Sequence, residues 1–150
     1  MNKMFRAIGS AVFAMAFAAV SPGFAHDHAT GIVKERMDAM ESMAKHMKAV
    51  SERIKNKRDL AAIKMDAEAI AALAPHITHQ FPPGSTQHPT QAKASIWQNW
   101  ADFESKARVL EIESGKLAKM SSDDFGALST QLRAVSQACG SCHEQYRAKK

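Results

Sequence analysis

The stretch FGALSTQLRAVSQACGSCHEQYRAKK, residues 125–150, carries both cysteines of the chain, Cys139 and Cys142, with His143 directly after the second. Its apolar positions are Phe125, Leu128, Leu132, Val135, Cys139, Cys142 and Tyr146, which step by 3, 4, 3, 4, 3, 4. That alternation marks one face of a helix buried along helical neighbours. The preceding SSDD, residues 121–124, is a turn with side chains suited to cap the helix start. Both thiols therefore sit on a helical seam, where apolar side chains would ordinarily pack.

Working outward, the chain beyond residue 25 holds six of the nine methionines, many alanines and few β-branched residues, a composition that favours helix over strand. A first helix is expected from about Thr30 to Lys57, with Val33, Met37, Met40, Ala44, Met47 and Ile54 spaced by threes and fours or their sums. Asp59 can cap a second, with Leu60, Ile63, Ala67, Ile70, Ala74 and Ile77 on one side. HQFPPGSTQHPT, residues 79–90, then breaks regular structure with three prolines and a glycine. From roughly Gln91 a third helix presents Ile96, Trp100, Phe103, Ala107, Leu110 and Leu117, weakened near Ser114-Gly115. Short turns join the first helix to the second and the third to the last, so an all-α antiparallel four-helix bundle is the simplest fold that buries all four stripes.

The first 25 residues have a different character. A basic start with Lys3 and Arg6, an apolar run over residues 7–20, a Ser-Pro-Gly break and small residues before Ala25 read as a secretory signal peptide cut after Ala25. The run is too short and too alanine-rich for a retained anchor, which needs about 18 or more apolar residues. The expected mature domain is 26–150, exported to a bacterial periplasm. It keeps 18 basic residues against 15 acidic ones, a net charge of +3. The two signs are interspersed, so nothing resembles a phosphate-tracking surface and nucleic acid is not an expected partner. Stable membrane insertion after processing is not expected either. The outer faces of the first two helices carry many Lys, Glu and Arg residues, with no apolar stripe that compels pairing, which leaves monomer and homodimer both open.

Three chemistries compete for the two cysteines. A disulfide across two intervening residues closes a tiny loop and constrains the unfolded chain little. A thiol–disulfide redox site expects the motif at a helix N-terminus after a strand, and none is near. Covalent haem attachment, C-x-x-C-H, uses every element of the motif. Two thiols three apart on a helix can add to the two vinyl groups of one porphyrin edge, and His143, four residues beyond Cys139, can reach the iron with its imidazole. Export agrees with this reading, because bacterial haem c is attached after translocation.

Met40 is less determined by position alone. Met37, Met40, Met43 and Met47 form a cluster, and methionine at helical spacing is usual core filler. Equally, a thioether is a good haem ligand that raises the iron's potential relative to nitrogen ligands, and small Ala44 one turn later leaves room for a ring.

These residues together resemble the class II cytochromes c, the group that contains cytochrome c′. CGSCHEQYRAKK is similar to the family's C-x-x-C-H-x-x-[FY]-R-x-K ending, ERMDAMESMAKHMKAV to its first-helix pattern, and SIWQNWADFESKA to the start of its third helix. The resemblance implies thioether attachment at Cys139 and Cys142, His143 as proximal ligand and Arg36 meeting a haem propionate. It further implies that Arg147, one turn after the histidine, influences its electrostatics, and that Met40 faces the iron's other side. Members with methionine there can close the sixth site and carry electrons to a redox partner protein; members with a non-ligating side chain stay five-coordinate and bind NO or CO. Either way the implied role is binding one haem c, not enzyme catalysis.

The remaining candidates have plainer readings. Arg36 flanks the buried stripe, a position from which its stem can cover apolar surface while its head meets a carboxylate, against the plainer reading of a solvated surface arginine. Tyr146 reads as seam filler, Trp97 and Trp100 as core or haem-edge packing, His46 as a surface residue, and His76, His79 and His88 as solvated loop residues without a zinc spacing. A mature N-terminus His26-Asp27-His28 has the pattern of a square-planar Cu(II) or Ni(II) site, against the plainer reading of a polar tail.

Overall fold

The computed structural model describes residues 28–121 and 123–149. The expected signal segment and the pair His26-Asp27 lie outside these residues. Helix α1 spans Gly31–Lys55 and ends with Arg53 and Lys55 in its last turn, where cations offset the exposed carbonyls. The turn to α2 (Leu60–Leu73) puts Lys57 and Asp59 at φ 49° and 58°. Asp59 tolerates the left-handed region because its side chain bonds locally, here accepting from Ala62 N at 3.1 Å as the expected N-cap. Pro75 has no N–H to continue the α ladder, so the helical path tightens into two 3₁₀ turns, Ala74–His76 and Thr78–Gln80, that keep Ala74 and Ile77 buried.

The third helical segment differs from expectation at both ends. Residues 91–93 are not helical: Lys93 N donates to Tyr146 O at 2.9 Å and Ala148 N to Gln91 O at 2.8 Å, so their backbone groups pair with the chain terminus instead. Helix follows as a single turn, α3 (Ser95–Gln98), a break at Asn99, and then α4 (Trp100–Lys119). Ser114-Gly115 does not weaken α4. Ser114 is fully buried, and its hydroxyl donates to Glu111 O at 3.2 Å within the helix, so a polar residue is accommodated without an orphaned group. Helix α5 (Phe125–Tyr146) starts at Asp124, whose side chain accepts from Gly126 N and Ala127 N.

The helices pack in a closed circuit: α1 on α2, α2 on α4, α4 on α5, with α5 returning to α1 most loosely. No strand occurs among the described residues, and the chain is an all-α four-helix bundle. Val50, Ala67, Ile70, Ile96, Phe103, Leu117 and Val135 are the deepest apolar side chains of a continuous core. Polar ties lock helix pairs at the rim. His46 Nδ1 lies 2.7 Å from Asp66 Oδ1, and Arg53 pairs with the same carboxylate. His46 is thus part of an α1–α2 clamp and not a free surface residue, because its helix position faces α2. The outer side of α2 is also more apolar than its sequence neighbours suggest, with Met65 70% exposed. No helix among the described residues is long and apolar enough to cross a membrane.

Candidate functional site

The loose α1–α5 side of the bundle opens into a cavity of about 580 Å³, within the roughly 300–1,000 Å³ range of pockets that hold cofactor-sized ligands. All six residues singled out in the sequence reach its wall: Arg36 and Met40 from α1, Cys139, Cys142 and His143 from α5, and Arg147 just beyond it. The expected single stripe of α1 is in fact two. Met37, Met40, Ala44 and Met47 line the cavity, Val50 and Ile54 enter the closed core, and Met43 borders both. The split follows from helix geometry, since residues one turn apart on adjacent rows face directions tens of degrees apart.

On α5 the two thiols are half-buried and one turn apart on one face. Burial pushes the Cys139 thiol up, and Cys142 up to about 11, with Lys106 partly opposing. Reactive redox thiols need the opposite shift, so the thiol–disulfide reading loses its chemical basis. The His143 imidazole is pushed below its ordinary value, first by burial and then by the charge of Arg147. That shift favours the neutral imidazole, the form that binds a metal.

Arg36 is only 3% exposed, so it is not a solvated surface arginine. Its guanidinium donates to Ser85 Oγ at 2.9 Å, Ser85 O at 2.7 Å and Thr90 Oγ1 at 2.5 Å, and stacks 4.8 Å from the Phe81 ring centre. These partners are neutral, and burial alone lowers its pKa. A desolvated cation without a counter-charge among the described residues fits an anionic group bound in the adjacent cavity.

Tyr146 is more than seam filler. Its ring sits edge-on to Phe103, and its hydroxyl donates to Asp102 Oδ2 at 2.6 Å, tying α5 to α4 beside the cavity. Burial and Asp102 push its pKa up to about 12, and the bond lowers that of Asp102. Neither tryptophan lines the cavity. Trp97 donates from Nε1 to Phe81 O at 3.0 Å, and Trp100 is 36% exposed with its ring centre 5.4 Å from that of Phe103. His76, His79 and His88 are exposed. Ser85, Thr90, Gln91 and Asp102 escaped the sequence reading. No local signal marks them, because their partners Arg36, Arg147 and Tyr146 lie 44 to 56 residues away.

Comparison with known proteins agrees with this geometry. The family model described as cytochrome C′ matches residues 31–147. Cytochrome c-556 of Agrobacterium tumefaciens (strain II Chrys) is 34% identical over 123 residues, covering 80% of this chain and 99% of the relative. Cytochrome c′ of Pararhodospirillum photometricum is 31% identical over 118 residues, 77% of this chain and 94% of the relative. The solved nitric oxide complex of a mutant cytochrome c prime from Alcaligenes xylosoxidans superposes with a TM-score of 0.73 at 29% identity, covering 79% of this chain and 94% of that one. A four-helix bundle whose last helix brings C-x-x-C-H to the wall of a porphyrin-sized cavity, matched over nearly its whole described length, belongs to the class II cytochromes c, the cytochrome c′ family of haem c proteins.

Proposed function

We propose that the protein is an exported haem c electron carrier, with Cys139 and Cys142 as thioether attachments, His143 as proximal ligand and Met40 as distal ligand. One observation carries this reading: the thiols and imidazole of α5 and the thioether of α1 wall the same cavity. Bound haem supplies a one-electron couple. The chain supplies the rest. Cys139 and Cys142, one turn apart on α5, would tether the group, and the fold of α5 would then position it. Arg36 anchors a propionate, the anion its neutral surroundings call for, through charge-assisted hydrogen bonds. Arg147 adds a second cation one turn after His143. Apolar walls such as Ile70, Ile96 and Phe103 keep water out, and a sulfur ligand raises the potential relative to a nitrogen one. Residues 1–25 direct export, and in the periplasm a redox partner protein meets the cavity rim between α1 and α5. Binding and electron transfer, not catalysis, are the function.

A second reading has a specific observation behind it. The nitric oxide complex of the Alcaligenes xylosoxidans cytochrome c prime makes NO or CO binding the alternative here, with Met40 standing aside as part of the wall. Optical spectra of the ferric and ferrous holoprotein with and without CO separate the two. A low-spin spectrum indifferent to CO is expected, and Met40→Leu should turn it high-spin and CO-responsive. An unchanged spin state in that variant, or a CO-responsive high-spin wild type, rejects Met40 ligation.

A further inference from the structure

Residues 90–93, ahead of α3, hold Arg36 and Arg147, two of the three Lys and Arg side chains on the cavity wall, the third being Lys106. Thr90 Oγ1 accepts from Arg36 Nη2 at 2.5 Å and from Ala92 N at 3.1 Å. The next residue, Gln91, accepts from Arg147 Nε at 2.7 Å through its side chain and from Ala148 N at 2.8 Å through its carbonyl. Lys93 closes the strap from the other side, donating from its backbone N to Tyr146 O at 2.9 Å and from Nζ to Gln145 O at 3.0 Å. Thr90, Gln91 and Lys93 thus fasten Arg36, Arg147 and the end of the helix that carries His143.

Arg147 needs such a restraint more than Arg36 does. Arg36 is buried and has three polar bonds, whereas Arg147 is exposed, and an exposed arginine spreads its charge over many rotamers and into screening solvent. Gln91 lies on the cavity wall and gives this guanidinium its one side-chain partner among the described residues. Its neutrality matters as much as its reach. A carboxylate in its place would hold Arg147 equally well and cancel its charge, and an apolar side chain would release it.

We propose that Gln91 is a positioning residue for the electrostatics of the haem site: by holding Arg147 at the cavity wall beside His143, it keeps a positive charge close to the iron and so raises the reduction potential. This rests on the reading of His143 as proximal ligand. The reduced iron carries one positive charge fewer than the oxidised, so a fixed nearby cation favours reduction, and its release favours oxidation.

The test is a spectroelectrochemical titration of the holoprotein and its variants Gln91→Leu, Gln91→Glu, Arg147→Gln and Gln91→Leu/Arg147→Gln. At fixed ambient potential, Gln91→Leu and Arg147→Gln should each raise the ferric-to-ferrous ratio, by about tenfold at low salt. Gln91→Glu should raise it at least as much, and it carries the test should the leucine variant fail to mature. The double variant should match Arg147→Gln alone, because Gln91 acts only through the arginine. Unmoved potentials in Gln91→Leu or Gln91→Glu, or a full extra shift by Gln91→Leu in the Arg147→Gln background, overturn the proposal while unchanged ligand spectra leave His143 in place. A wild-type spectrum without histidine ligation overturns the ligand reading and this proposal with it.

Discussion

Arg36 and Arg53 stand near opposite ends of the same helix, and they solve the problem of a cation against the bundle in opposite ways. Arg53 sits at the closed end, partly exposed, with its charge met by Asp66 and, at 3.7 Å, by Asp59. Arg36 sits at the cavity end, almost fully buried, with a hydroxyl, a carbonyl, a second hydroxyl and an aromatic face for company. The first is electrostatically complete within the polypeptide. The second meets only neutral partners among the described residues. The same contrast runs through the packing: near Arg53, Val50 and Ile54 close the core, while near Arg36 the methionine row faces open volume.

The largest test of that contrast strikes Phe103, 1% exposed, which borders both the closed core and the cavity and packs against Phe81, Trp100 and Tyr146. Phe103→Ala should lower the unfolding free energy of the holoprotein by about 3–5 kcal/mol in urea titrations. A loss below about 1 kcal/mol would mean that haem contacts and not side-chain packing hold this end together.

Next comes the arginine pair itself. Arg53→Met should cost about 1 kcal/mol of stability, more at low salt than at high, and leave the reduction potential where it was. Arg36→Met should lower the potential, since it removes a desolvated positive charge beside the cavity. Equal effects of the two substitutions on the potential would erase the distinction.

The smallest effect is read at high pH. Tyr146 titrates near 12 in the folded chain, above its ordinary value of 10. A raised folded pKa means that the folded state holds the proton more tightly, so the stability it contributes is complete below pH 10 and drains away as pH rises toward 12. Helix content followed by circular dichroism should therefore show alkaline destabilisation across that window, and Tyr146→Phe should flatten it. At the acid end, Asp102 and Glu113 have lowered pKa values, held down first by the Tyr146 and Lys116 bonds respectively. Their contribution is present above their ordinary values of 3.8 and 4.5 and is lost as pH falls through the lowered ones.

Much of the bundle was legible from residue order. The α5 seam, the Asp59 and Asp124 caps and the proline break all rest on interactions within a turn or two of the chain, which sequence encodes directly. The C-x-x-C-H motif was legible for the same reason, because its three side chains lie within a turn or so of one another on one helix and reach one cavity. The α1 stripe was read too coarsely. Hydrophobic spacing finds a helix's apolar side but does not divide it between two neighbours, so Val50 was left off the stripe and the methionine cluster was not sorted between core and cavity.

Other features existed only once the chain had folded. Arg36 looked like a flanking residue because nothing within reach along the helix hints at Ser85 or Thr90, about fifty residues on, and a polar loop read as solvent-exposed turned out to be its wall. Gln91 looked like the first residue of a helix, yet long-range pairing with Ala148 and Arg147 outcompeted helical hydrogen bonds there. The sequence by itself determined four amphipathic segments and a haem-attachment motif, through periodicity and local chemistry. Tertiary structure alone decided which charges are buried, which methionines face the cavity and which loop residues steady its cations, because those depend on which distant groups share a desolvated space.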